Sequence, residues 1–201
     1  MRNLITRNLK GRIIIPLFLF AGIVYTMMMT ITIPKVMRFS DGMKILDMMP
    51  FGYNAAYVNT LLNTLGEKGR YAYLFNQIPL DMIYPLLFGI SLCLILAYLL
   101  KKLGKLEGTL FYICFLPLIS ALFDYCENIG VITILNSYPD NSNLLAQTTN
   151  VFSVLKSTST TINFVILIVL LIVLWNRKLY EKNKLRKWTY FITKTKINYD
   201  R

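Results

Sequence analysis

The chain has 201 residues, of which 55% are hydrophobic and only 16% charged, with a net charge of +12. A soluble domain carries about 25% charged residues, and a disordered chain needs low hydrophobicity, so neither class fits. With no histidine in the sequence, imidazole metal sites and Ser–His or Cys–His nucleophile pairs are excluded, and we expect no metal and no cofactor.

Residues 1–12 form a basic tail containing Arg2, Arg7, Lys10 and Arg12. Ile13–Ile33 follows, 21 residues without a charge. As a helix it would be about 32 Å long, which matches a hydrocarbon core of about 30 Å. The apolar run is long for a cleaved signal peptide and no small-x-small site follows it, so the reading is a retained membrane helix. Residues 34–77 make a long external loop. Within it, Asp41-Gly42 reads as a turn. Residues 53–65 place Ala56, Tyr57, Leu61, Leu62 and Leu65 near helical spacing, with Gly66 as a C-cap. This predicts a short amphipathic helix that lies on the outer membrane surface or caps the bundle. Arg70, flanked by Tyr71 and Tyr73, is expected at the outer interface. There it would anchor the chain beside belt aromatics or grip a phosphate or carboxylate.

The second span is Ile78–Leu100, with Asp81 as its one charge. The third lies within Leu106–Asn136 and is interrupted by Glu107, Asp124 and Glu127. The fourth is Val151–Trp175, with Lys156 as its one charge. Lipid offers bare backbone groups no water, so each span should be a helix, with Pro16, Pro85 and Pro117 as kinks or starts. Residues 176–201 are a second basic tail. The fold class is therefore all-α: a four-helix transmembrane domain over residues 13–175, plus the short helix of the first external loop.

The positive charge is not spread evenly. The two tails and the Lys101–Glu107 turn hold sixteen basic and three acidic residues; the rest holds six basic and seven acidic. That asymmetry places both termini in the cytoplasm and argues for topology and anionic lipid rather than nucleic acid. Cys93, Cys114 and Cys126 form no C-x-x-C pair and read as small buried hydrophobes.

Following each span's direction puts Asp81, Asp124, Glu127 and Lys156 at one depth, in the outer half of the bilayer. Gln77, Asp81, Tyr84, Phe88 and Ser91 follow helical steps along the second span. Pro117, Ser120, Asp124, Glu127 and Asn128 do so on the third, and Ser153, Lys156, Ser157, Thr160 and Asn163 on the fourth. Charges inside a membrane cost about 2.5–3.5 kcal/mol by insertion scales, which makes them candidates for function. Lys156 is expected beside a third-span carboxylate. The candidate ligand-binding set is Asp81, Asp124, Glu127, Asn128, Lys156, Arg70 and Tyr84.

Leu65-Gly66-x-x-Gly69-Arg70-x-Ala72-Tyr73 followed by Asp81-x-x-Tyr84-Pro85, together with Asp124-x-x-Glu127-Asn128, resembles a signature of small bacterial four-helix integral membrane proteins of no assigned activity. The resemblance covers residues 41–128 and implies the topology and the site, not a reaction. Two main readings of function compete. One is a plasma-membrane protein, bacterial by the resemblance, with an outward-facing polar pocket for a lipid headgroup, amphiphile or cation, acting alone or as an accessory subunit. The other is a membrane-embedded enzyme using Asp124 or Glu127 as general acid or base on a lipid. A purely structural membrane subunit is a third. Membrane lipids are the expected partners, with a homo-oligomer or a larger membrane complex needed to build a transport path.

Overall fold

The computed structural model describes residue 7 and residues 9–199, with side chains through Lys182. No strand occurs among the described residues. Four helical segments, Gly11–Met37, Ala55–Lys102, Thr109–Ser137 and Asn143–Lys182, are long and apolar enough to cross a membrane. The fold is all-α and polytopic, as the hydropathy pattern requires.

The first segment is α1 (Gly11–Met27), a π turn (Met28–Thr32) and α2 (Ile33–Met37). It packs chiefly against α4 (Ile78–Lys102), which also touches α5 (Leu116–Ser137) and α6 (Asn143–Tyr199) and so sits at the centre of the bundle. Where α5 meets α6, Gly130 admits Thr149: a Cβ on Gly130 would collide with the threonine side chain.

The loop of residues 34–77 is mostly folded. Its helix α3 spans Ala55–Ala72, capped by the Asn54 side chain, which accepts from the Tyr57 N–H at 2.8 Å. Gly66 breaks α3, with φ 59° and ψ −173°, a conformation open only to glycine. The expected short helix therefore does end at Gly66. The chain then resumes helical form to Ala72 and passes through a second π turn (Tyr73–Gln77) directly into α4. The first half of α3 caps the bundle: Val58, Leu61, Leu62 and Leu65 are buried in one cluster with Val131, Ile134 and Ala146. A 3-10 turn, Leu46–Met48, adds Leu46 to the same cluster.

Several boundaries differ from the sequence reading. The third span opens with a 3-10 segment, Thr109–Phe115, before α5 begins beside Pro117. The fourth helix starts at Asn143, eight residues before the apolar run, where the Ser142 hydroxyl accepts from the Leu145 N–H at 3.1 Å and caps the first turn. Its backbone also continues through position 176 without a break, so the basic tail begins as an extension of the fourth helix. Tyr73, expected among the belt aromatics, is instead fully buried in the apolar core, while Tyr71 stays exposed, its ring tilted 38° against that of Phe75 at 4.6 Å. Tyr73 continues the buried face of Leu65, Gly69 and Ala72, one helical turn beyond Gly69, whereas Tyr71 lies off it.

Two apolar clusters occupy the two ends of the bundle. One is capped by the loop of residues 34–77; the other gathers Leu9, Ile14, Leu96, Leu100, Phe111 and Cys114. The chain order of these residues leaves a polar layer between the two clusters.

Candidate functional site

The polar layer is built from α4, α5 and α6. Asp81 stands one turn into α4, Asp124, Glu127 and Asn128 share a face of α5, and Lys156 projects from α6. Asp81, Asp124, Glu127 and Asn128 are all buried, Glu127 completely. The Lys156 ammonium bridges two carboxylates, with Nζ 2.9 Å from Asp124 Oδ1 and 2.7 Å from Glu127 Oε2. The expected pairing of Lys156 with the third span is thus present twice over. Deeper in the bundle, Asn163 Nδ2 donates to Ser120 Oγ at 2.8 Å, joining the stripes of α5 and α6.

The two motifs quoted from the sequence meet here for a backbone reason. Pro85 has no N–H, so the carbonyl of Asp81, four residues earlier, loses its helical donor. Asn128 Nδ2 donates to that carbonyl at 2.9 Å, and Tyr125 Oη donates to the next carbonyl, that of Met82, at 2.9 Å. The third span thereby holds the proline-interrupted turn of the second.

Tyr84 lines one side of the layer. Its ring lies 5.5 Å from Tyr25 and 5.4 Å from Phe88, which in turn reaches Phe164 at 5.9 Å. Arg70 is not part of the cluster. Its Nη1 donates to the Leu62 carbonyl at 2.8 Å, and its guanidinium stacks 4.0 Å over the Tyr138 ring. Arg70 thereby ties the second half of α3 to the first across the break at Gly66. The structure thus brings together six of the seven candidate residues.

It also adds residues that the sequence reading passed over. Asp47, from the 3-10 turn Leu46–Met48, reaches the layer. Tyr73 Oη donates to its Oδ1 at 3.1 Å, while its Oδ2 is buried without a hydrogen-bond partner. Lys156, Glu127 and Asp124 all lie within electrostatic reach of it. Although Asp47 as a residue is only half-buried, its carboxyl is shut away, and this desolvation pushes it from 3.8 up to about 7, against the pull of Lys156. Tyr53, also outside the spans, has a buried hydroxyl with no partner. Burial, with the Glu127 and Asp47 carboxylates nearby, pushes this phenol up, so it remains a proton donor. One signal could have found Asp47: it lies in Ile45-Leu46-Asp47-Met48-Met49, an acid among four large apolar residues between the Asp41-Gly42 turn and the predicted helix.

The layer thus holds four carboxylates, Asp47, Asp81, Asp124 and Glu127, against one ammonium, Lys156. Asp47 Oδ2, Asp81 Oδ2 and Glu127 Oε1 have no donor. Among the described residues, no three Asp, Glu, Cys or His side chains converge closely enough to hold a metal ion. Chemically the arrangement can hold a positively charged group or share protons among neighbouring carboxylates. Comparison with protein-family models, with curated proteins and with solved structures finds no match to this chain.

Proposed function

We propose that this is a multi-pass plasma-membrane protein, with both termini cytoplasmic, whose outer-half acidic layer binds a positively charged group. That group is a small cation or the cationic part of an amphiphile or lipid headgroup, and membrane lipids are its setting. The observation that carries the reading is the imbalance of four carboxylates against one lysine in a closed layer, with three carboxylate oxygens lacking a donor. Buried acceptors left without donors are costly, and a bound cation offsets that cost. The external loop lies over the layer, which favours entry from the outer side. The kinship with small bacterial four-helix membrane proteins is part of the same proposal.

Native mass spectrometry of protein extracted in a mild detergent tests the binding claim. Retention of a cationic or zwitterionic molecule by the parent, lost in Asp81→Asn, is the expected result. Retention of anionic lipid alone, unchanged in Asp81→Asn, would overturn it. For orientation, cysteine at Asp140 in a Cys126→Ser background should react with an impermeant thiol reagent on intact cells, and cysteine at Lys182 should not. The reverse pattern would overturn the topology.

A further inference from the structure

The unsatisfied atoms of the layer are not randomly placed. Lys156 already shows how the layer treats a primary ammonium: two carboxylates hold it at 2.9 and 2.7 Å. A second pair of carboxylates has no such partner. Asp81 lies within electrostatic reach of Asp47, and the buried Oδ2 of each has no hydrogen-bond donor. Beside them, the amide nitrogen of Asn128 is spent on the Asp81 carbonyl, which leaves its Oδ1 buried and without a donor. These are three acceptors contributed by the external 3-10 turn, α4 and α5, and a primary ammonium carries three N–H donors and no acceptor.

Two buried donors complete the set. Gln77 lies one helical turn before Asp81, fully buried, and its Oε1 meets the Thr32 hydroxyl while its Nε2 has no partner. The Tyr53 hydroxyl also has no partner and lies within electrostatic reach of Glu127, Asp47 and Lys156. A quaternary ammonium, which has no N–H, would leave all three acceptors unsatisfied. A bare amine would leave the two donors unsatisfied.

We propose that Asp47, Asp81 and Asn128 form a second ammonium subsite, selective for a primary ammonium whose carrier also bears an oxygen acceptor for Gln77 or Tyr53. Ethanolamine has this chemistry, either free or as a phospholipid headgroup. The proposal rests on the cation-binding reading above and narrows it to one substrate class. Asp47 arrives on the external turn, so the subsite is complete only when that turn is docked.

The test is the melting temperature of the full chain with matched probes. In detergent, ethanolamine is compared with choline, which differs by three N-methyl groups. In lipid nanodiscs, phosphatidylethanolamine is compared with phosphatidylcholine. A ligand that binds only the folded state raises the melting temperature. A rise with ethanolamine but not choline, lost in Asp47→Asn and in Asp81→Asn, supports the subsite and a soluble ligand. A rise with phosphatidylethanolamine only, lost in the same variants, supports the subsite and a lipid ligand. Equal rises with ethanolamine and choline overturn the primary-ammonium selectivity while leaving the cation-binding reading intact. No rise with any of the four overturns both, as do rises that persist in the two variants. Asp47 lies on an external turn, so Asp47→Asn remains interpretable even where Asp81→Asn fails to fold.

Discussion

Lys156 is the cation on which the polar layer depends, and replacing it with methionine gives the sharpest energetic prediction. Methionine keeps most of the side-chain volume but leaves Asp124 and Glu127 without their shared partner, at distances that are now 2.9 and 2.7 Å. Glu127 is fully buried and Asp124 nearly so, whereas Lys156 keeps 18% of its side chain exposed. Removing one member of a buried pair costs about 3–5 kcal/mol, because the remaining charge is uncompensated. For a chain of this length, each kcal/mol moves the melting temperature by about 2–4 °C, so the expected loss is on the order of 10 °C. The triple change Lys156→Met with Asp124→Asn and Glu127→Gln removes the stranded charges as well, and should recover most of the loss. Differential scanning fluorimetry in one detergent measures both. If the triple variant melts at the sum of the separate losses, the three residues do not act as one network, and the electrostatic account of the layer fails.

Other expectations concern single contacts. Asn128→Leu leaves the Asp81 carbonyl without a donor and should cost about 1–3 kcal/mol, measured by thermal melting. Tyr125→Phe, which removes the bond to the Met82 carbonyl at a less buried position, should cost less; the opposite order would contradict the role given to Pro85. Gly130→Val forces its side chain against Thr149 and should destabilise by about 1–3 kcal/mol, and a neutral result would mean that α5 and α6 do not pack this closely. Asp47 gives a pH signature. Its carboxyl holds a proton more tightly folded than unfolded, so its stabilising contribution is complete below about pH 4 and lost as pH rises through about 7. The parent should therefore lose stability relative to Asp47→Asn between about pH 4 and about pH 7. A relative gain over that range would show that the carboxyl is not buried in the folded protein.

What could be read from the sequence was what local pattern encodes. Span length, the i+3/i+4 polar stripes and the depth of Asp81, Asp124, Glu127 and Lys156 all follow from helical geometry and chain direction. The stop at Gly66 follows from residue type. The fate of residues 34–77 depends on tertiary packing: Asp47 is brought inward by the docking of Leu46, and Tyr73 by the seating of the second half of α3 through Gly69 and Ala72. Arg70 was open to several roles in the sequence, and no spacing signalled its bond to the Leu62 carbonyl eight residues earlier. The bond from Asn128 to the Asp81 carbonyl links residues 47 apart, and only the proline at position 85 hinted that a carbonyl would need a donor.

The claim that the acidic layer serves binding rather than scaffolding is tested most directly at Glu127. Glu127→Gln keeps shape and hydrogen-bonding capacity while removing one charge, and Asp124 still holds Lys156. Melting temperature and ligand retention by native mass spectrometry are measured on the same preparation. The variant should melt close to the parent, because the desolvation of a costly buried charge is removed along with its attraction, yet it should lose the retained cationic molecule. A Glu127→Gln protein that keeps full retention and melts markedly lower would show that the cluster is scaffolding and contradict the proposed function.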